Sequence, residues 1–175
     1  MAEAILSGLL DRRGVAAEIA SAGLLAGGQP MARDALAAVA NLGYAETDLS
    51  LHRSRKLSAS DVRHADLVLS MAREHLREVV VLVPGAWDRT FTLKELVRQG
   101  EVVGRRVKDQ DIGVWLATVA AGRSRESQLG SSTADDVADP IGGTPAMFEK
   151  TAGEIEVLCQ RLVALLWGSA LAVTT

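Results

Sequence analysis

Apolar residues recur at helical spacing near the start of the chain and in several later stretches. Residues 2–13 place Ala2, Ile5 and Leu9 on one face, and Gly14 stands where a left-handed C-terminal cap belongs, so a helix is predicted there. A short extended run over 15–19 predicts a strand that ends in a loop. A second helix is predicted to open at Pro30 and to close at Gly43.

The middle of the chain alternates short apolar runs with further helical patterns. Residues 67–69 and 79–83 are continuous apolar runs, the second ended by a Pro-Gly pair, and both predict buried strands. Helical spacing follows over 92–99 and from Ile112 to Val119, and the longest helix is predicted over 145–167. Strands that alternate with helices predict an α/β fold with a parallel sheet covered on both faces. Residues 122–138 show no period and predict a surface loop.

Composition and charge narrow the class of protein. The chain has 175 residues, 48% of them hydrophobic, and predicts a single domain over 1–175. The formal net charge of −3 argues against a dedicated nucleic-acid binder. No apolar run reaches the roughly 20 residues that cross a bilayer, and the N-terminus has no basic leader, so we expect a cytoplasmic protein without a membrane segment.

Several short motifs follow one another in a specific order. The motifs are Met-Ala-Glu-Ala over 1–4, Ser-Ala-Gly over 21–23, Leu-His-Arg-Ser-Arg over 51–55, Ala-Asp-Leu-Val-Leu-Ser-Met over 65–71, and Asp-Pro-Ile-Gly over 139–142. Their order and spacing resemble the low-molecular-weight protein tyrosine phosphatases. The resemblance implies a doubly wound parallel sheet in three α/β/α layers.

The resemblance also implies a segment that these residues do not contain. In the family a first, central strand leads into a phosphate-binding loop of a Cys, five residues, an Arg and Ser-Pro, and the first helix follows at once. Here the helix begins at Met1, so we expect an N-terminally truncated form that lacks this central strand, the nucleophilic cysteine and the arginine. Cys159 lies on the apolar stripe of the last helix and is expected to be a core residue.

The resemblance assigns roles to three residues of this chain. Asp139 would be the general acid that protonates the leaving group and then the base that activates water. Ser21 and His52 would hold the phosphate loop by hydrogen bonds. Family members often place aromatic residues after Asp-Pro, whereas Ile141 and Gly142 stand here, which leaves room for substrates other than phosphotyrosine. No cofactor is implied, and the histidines show no metal-ligand spacing.

Three functions remain open at this point. The first is a phosphatase that hydrolyses phosphate monoesters of a phosphorylated protein or small molecule through a cysteinyl phosphate, with the present chain inactive by itself. The second is a pseudophosphatase that acts as a binding module. The third, an arsenate reductase, is disfavoured because that chemistry uses several cysteines and this chain has one. The oligomeric state is left open.

Overall fold

The structure is a computed structural model that describes residues 1–44, 49–123 and 133–168. Its regular elements alternate between helices and short strands. In chain order they are α1 (Ala2–Asp11), α2 (Arg33–Asn41), α3 (Ala59–His64), β1 (Val68–Ser70), α4 (Arg73–Leu82), a 3-10 helix (Pro84–Arg89), β2 (Thr90–Thr92), α5 (Leu93–Val103), α6 (Ile112–Ala120) and α7 (Pro145–Trp167).

The two strands form a parallel pair. Val68 lies opposite Thr90, and Ser70 lies opposite Thr92. All three residues of β2 are buried, as expected for a parallel strand that is covered by helices. Parallel pairing requires a crossover connection, and here α4 and the 3-10 helix provide it. The α/β class and the parallel pairing are therefore confirmed.

The chain divides into two compact units. The first unit comprises Met1–Ser58 and Val137–Gln160, and the second comprises Ala59–Asp136 and Arg161–Thr175. The sheet belongs to the second unit, whereas α1 and α2 belong to the first. The single domain expected over 1–175 stays a prediction.

In the first unit, small side chains allow close packing. Ala35 and Ala38 of α2 meet Phe148 and Ala152 of α7 in one buried cluster. In α1, a Cβ atom on Gly8 would lie 2.5 Å from Cδ1 of the buried Tyr44. A side chain at this helical position would therefore displace the tyrosine ring.

The second unit contains a fully buried ion pair. The Arg123 and Glu95 side chains are both 0% exposed, and Nε of Arg123 donates to Glu95 Oε1 at 2.8 Å. The Arg123 guanidinium also donates to the carbonyl oxygens of Trp87 and Thr90, and it lies 4.2 Å from the centre of the Phe91 ring. These contacts satisfy a charge that would be costly to bury alone.

A second ion-pair group is centred on Asp135. Its carboxylate accepts from Nη2 of Arg73 at 2.7 Å and from Nη2 of Arg98 at 3.1 Å. The neighbouring Asp136 accepts from the backbone N–H of Arg73 at 2.8 Å, at the start of α4. This acidic pair thus ties the segment that follows residue 132 to α4 and α5 within the second unit.

Most predicted helices are confirmed. The last one coincides with its predicted bounds, and the first ends at Asp11, followed by Gly14 with a φ of 62°. The helix predicted over 92–99 continues through Gly100 to Val103. A Cβ atom on Gly100 would lie 3.0 Å from side-chain atoms of Leu165 and Trp115, so this glycine allows close packing and does not end the helix. The strand predicted over 67–69 is found at Val68–Ser70. Of the loop predicted over 122–138, residues 124–132 lie outside the described residues.

The strand predicted over 79–83 is wrong. Residues 79–82 form the end of α4, where Val79 is buried and Val81 is 78% exposed, and Val83 follows as the C-cap. The helix begins with charged residues at Arg73 and Glu74, and the valines of its last turn continue it although β-branched residues favour strands. The helix ends before Pro84, whose ring disfavours a helical conformation at Val83.

The strand predicted over 15–19 is also wrong. Residues 16–18 are exposed, and the N–H of Val15 donates to Leu10 O at the end of α1 instead of joining a ladder. A strand needs a neighbour to pair with, and in the described part of the chain this segment has none. The second helix begins at Arg33 and not at Pro30, because Pro30 is engaged in a bridge with Arg53.

Among the described residues, no helix is both long and apolar enough to cross a bilayer.

Candidate functional site

Ser21 and His52 come together at the first turn of α1. The hydroxyl of Ser21 donates to Oε2 of Glu3, and Nδ1 of His52 lies 3.7 Å from the same oxygen. The side chains of Glu3 and His52 are 33% and 30% exposed, so the group remains open to solvent. One carboxylate therefore holds a hydroxyl and an imidazole, two groups that can each donate and accept a hydrogen bond.

Two chain segments hold Ser21 and His52 in place. We call residues 23–30 and 53–57 the paired segments. The N–H of Gly23 donates to Arg55 O at 2.9 Å, and the N–H of Leu57 donates back to Gly23 O at 2.8 Å. Further along, Gly28 N donates to Ser54 O at 2.7 Å. Ser21 lies just before one segment and His52 just before the other, so this pairing brings both residues to Glu3.

The pairing of these segments depends on a glycine. A Cβ atom on Gly27 would lie 2.6 Å from the carbonyl oxygen of Ser54 and 2.9 Å from Cα of Arg55. Both contacts are with backbone atoms, which cannot swing aside as a flexible side chain would. No pattern in the sequence predicted the pairing, although the doublet Gly27-Gly28 is the kind of signal that marks a close backbone approach.

Asp139 lies on an exposed turn before α7. Its Oδ1 accepts from the N–H of Ile141 at 3.0 Å, which closes an Asx turn, and Gly143 N donates to Pro140 O at 2.9 Å. The hydroxyl of Thr151 donates to Ala138 O and joins the turn to the helix that follows. The carboxylate is therefore fixed in direction and open to solvent.

The structure does not join Asp139 to the other predicted residues. Within the described residues, no hydrogen bond or ion pair links Asp139 to Glu3, Ser21 or His52. The site residues thus fall into two groups of the first unit, one at the start of α1 and one on the turn before α7.

Cys159 is a core residue, as predicted. It is 1% exposed, and burial raises the pKa of its thiol to about 12. Cysteine attacks phosphorus as the thiolate, which such a pKa keeps scarce at neutral pH. A buried thiol with this raised pKa is a poor nucleophile.

A metal site was sought in the same way. In the portions of the chain that the structure describes, no group of three or more His, Cys, Asp or Glu side chains is arranged to hold a metal ion.

Comparison with known proteins identifies the family. Residues 1–110, more than half of the chain, match the family model described as low molecular weight phosphotyrosine protein phosphatase. The chain belongs to this family. Its fold agrees with a crystal structure of the low molecular weight protein tyrosine phosphatase from T. tengcongensis, with a TM-score of 0.68, 29% identity, and coverage of 94% of this chain and 88% of that one.

Other relatives carry a different substrate in their names. A protein-arginine-phosphatase from Bacillus subtilis is 27% identical over 163 residues, which span 93% of this chain and 84% of the relative. The structure of the YwlE arginine phosphatase from Geobacillus stearothermophilus is matched with a TM-score of 0.62 and 28% identity, over 92% of this chain and 79% of that one. The chain is thus similar both to tyrosine and to arginine phosphatases of the family.

Proposed function

We propose that this domain serves the hydrolysis of phosphorylated protein side chains, with Asp139 as the acid that protonates the leaving group. The observation that carries this proposal is the exposed Asp139 carboxylate, held on a turn by its bond from the N–H of Ile141. A carboxyl group there can give its proton to a departing oxygen or nitrogen. Once ionised, it can take a proton from the water that attacks next.

We infer that phosphoarginine is a better substrate than phosphotyrosine. None of the residues 133–144 around Asp139 is aromatic, and the side chain that follows Asp139-Pro140 is Ile141, which is 70% exposed. A phosphotyrosine ring bound beside Asp139 would therefore find no aromatic side chain from these residues to stack against. The similarity to protein-arginine-phosphatases over 93% of the chain supports the same substrate class.

The covalent step needs a thiolate. The phosphoryl group would pass to sulfur as its bond to the leaving group breaks, and Asp139 would give the leaving group a proton. Water, deprotonated by the same carboxylate, would then release phosphate and return the thiolate. The 175 residues contain one cysteine, the buried Cys159. We therefore propose that these 175 residues do not perform this step by themselves.

A grafted chain tests the role of Asp139. A strand and a loop of the form Cys, five residues, Arg and Ser-Pro would be joined in front of Met1, and hydrolysis of phenyl phosphate and of a phosphoarginine peptide measured. We expect the grafted chain to hydrolyse both substrates. Because both have poor leaving groups, Asp139→Asn in the grafted chain should lower kcat for each substrate by about 10²–10⁴-fold. Asp88→Asn, at another exposed aspartate, is the matched control and should have no effect.

Two results of this experiment would count against the proposal. Full activity of the grafted Asp139→Asn variant would remove Asp139 from the reaction. A preference for the phenyl ester in kcat/KM would contradict the inferred substrate class.

A pseudophosphatase that binds a partner is the second candidate. The observation that favours it is the burial and raised pKa of the single thiol. A grafted chain that folds, as shown by a cooperative melt, and yet hydrolyses neither substrate would favour this binding function over catalysis.

A further inference from the structure

The two stretches of sequence that contain the paired segments have basic residues and no acidic ones. Acidic residues outnumber basic ones in the chain, 22 to 19, yet residues 19–33 and 49–60 contain no Asp or Glu. The same stretches contain four basic side chains, Arg33, Arg53, Arg55 and Lys56, and all four are exposed. Glu46 and Asp48 belong to the undescribed residues 45–48. A locally basic surface on a protein of net charge −3 attracts anionic partners.

Arg53 and Arg55 are exposed on either side of a residue that turns inward. Between Arg53 and Arg55, Ser54 turns inward, and its hydroxyl accepts from the N–H of Gln29 at 3.0 Å. Side chains two residues apart on an extended segment lie on the same side, roughly 7 Å apart. An extended peptide presents its own alternate side chains at the same interval. The spacing therefore fits carboxylates at every second position of a peptide.

The arginine nearest the site is held in place and can still bind. Nη1 of Arg53 donates to Ser50 O at 3.1 Å and to His52 O at 2.8 Å. Both of its bonds within the described residues use Nη1, so Nε and Nη2 can donate to a carboxylate. Fixing the guanidinium beforehand reduces the entropy that binding would cost.

The paired segment 23–30 also presents an exposed apolar side chain. Leu25, in the other paired segment, is 84% exposed. It offers an apolar contact that a small inorganic anion would not use, whereas a peptide side chain would. Apolar and basic groups together favour a peptide over a free anion.

We propose that the paired segments dock an extended acidic stretch of a protein substrate, next to the residue that is dephosphorylated. The location supports this, because Ser21 and His52 lie at the ends of these segments and both meet Glu3. The inference rests on the proposed function for the identity of the partner. It adds a second determinant of specificity, a preference for Asp and Glu near the phosphorylated side chain.

Binding of an unphosphorylated peptide tests this docking separately from catalysis. A fluorescent peptide with Asp or Glu at every second position would be compared by anisotropy with its Asn and Gln counterpart. We expect the acidic peptide to bind at least about tenfold more tightly at low ionic strength, and the difference to shrink between about 50 and 500 mM NaCl. Equal binding of the two peptides, or binding that does not respond to salt, would overturn the proposal.

A matched pair of variants locates the surface. Arg53→Gln/Arg55→Gln/Lys56→Gln should weaken acidic-peptide binding at least about tenfold. Arg63→Gln/Arg105→Gln/Lys108→Gln removes the same charge from exposed positions of the second unit and should not weaken it. Equal losses in both variants would show an effect of net charge alone and contradict the proposal.

Two further arms keep the test decisive. If the first variant does not fold, the single variant Lys56→Gln should still weaken acidic-peptide binding, and unchanged binding by that folded variant would contradict the proposal. A single-stranded oligonucleotide that binds the wild-type chain more tightly than the peptide would also overturn the proposal. Because these peptides carry no phosphate, failure here leaves the role of Asp139 intact, and failure of the grafted enzyme leaves the docking result intact.

Discussion

Two charged pairs, one in each unit of the molecule, lie in opposite environments. In the second unit Glu95 and Arg123 are fully buried, paired and enclosed by aromatic rings. In the first unit Glu3 and His52 form a longer contact, are each about one-third exposed and have room for further partners. The buried pair has its hydrogen bonds satisfied within the fold, whereas the exposed group can exchange its bonds with a ligand.

This difference separates structural charge from functional charge. Removing one partner of a buried pair leaves the other charge without solvent or counter-ion, which raises the free energy of the folded state and so destabilises the protein. Removing one member of an exposed group lets water take its place. Stability should therefore depend on the second unit's ion pairs, and chemistry on the first unit's exposed side chains.

The buried pair offers the largest expected effect. Arg123→Ala should lower the free energy of unfolding by about 3–5 kcal/mol, because Glu95 would remain buried without its cation. Urea denaturation measures the loss. In the double variant Arg123→Met/Glu95→Leu much of that stability should return, since no unpaired charge is left. A single variant as stable as the wild type would break the comparison.

The contribution of the Asp135 ion pairs to the free energy of unfolding should depend on pH. Burial opposes its ionisation, but hydrogen bonds and positive charge from Arg73 and Arg98 outweigh burial and hold the pKa of its carboxyl below the usual range. The stability that follows is present above the unfolded pKa of about 3.9 and is lost as pH falls through the folded value.

The corresponding variant is Asp135→Asn. It should cost about 1–3 kcal/mol near pH 7, where the two arginines lose a charged acceptor. The difference in stability between this variant and the wild type should shrink in thermal melts recorded below about pH 4. A gap that is constant from pH 7 to the acid limit would argue against an ionised Asp135.

Tyr44 is a buried polar residue in the first unit, so it separates the effect of burial from the effect of belonging to one unit or the other. Its hydroxyl donates to Glu156 at 2.9 Å, and burial together with this bond raises the pKa of its phenol to about 12. Since the unfolded chain ionises this group near pH 10, the associated stability is lost as pH rises above about 10. Tyr44→Phe should cost about 1–2 kcal/mol at neutral pH.

The titration is direct because Tyr44 is the chain's single tyrosine. Absorbance of the phenolate in the folded protein should rise with a midpoint near 12. A midpoint near that of a free tyrosine, about 10, would mean that the ring is solvated.

The smallest effect is expected at the exposed group itself. Ser21→Ala should change the free energy of unfolding by less than about 1 kcal/mol, because water can replace the hydroxyl at Glu3. Urea denaturation of Ser21→Ala and Arg123→Ala in the same experiment compares the two losses of unfolding free energy directly. A loss at Ser21 as large as the one at Arg123 would mean that the site is part of the folding core.

Sequence pattern predicted the elements whose burial follows a simple period. The amphipathic stripe of α7 and the glycine after α1 were sufficient to place both helices. The run over 79–83 misled because β-branched residues favour strands locally, whereas the charged residues before it continue a helix through Val79. The segment 15–19 could not be judged locally, since a strand exists only with a partner.

The site was predictable only in part. The resemblance named Ser21, His52 and Asp139, and the structure brings the first two to Glu3. The contacts that bring them there run between residues about thirty positions apart, such as Gly23 and Arg55. No periodicity along the sequence encodes such a pairing, so the position of the basic residues beside Ser21 and Glu3 emerges only from the fold.

Hydrolysis by the 175-residue protein itself tests the central claim most directly. Release of phosphate from phenyl phosphate and a phosphoarginine peptide would be measured for the wild type beside Cys159→Ser. We predict that neither protein exceeds the buffer blank, because the single thiol is buried and its pKa is raised to about 12. Turnover by the wild type that Cys159→Ser abolishes would contradict this account and make Cys159 the nucleophile.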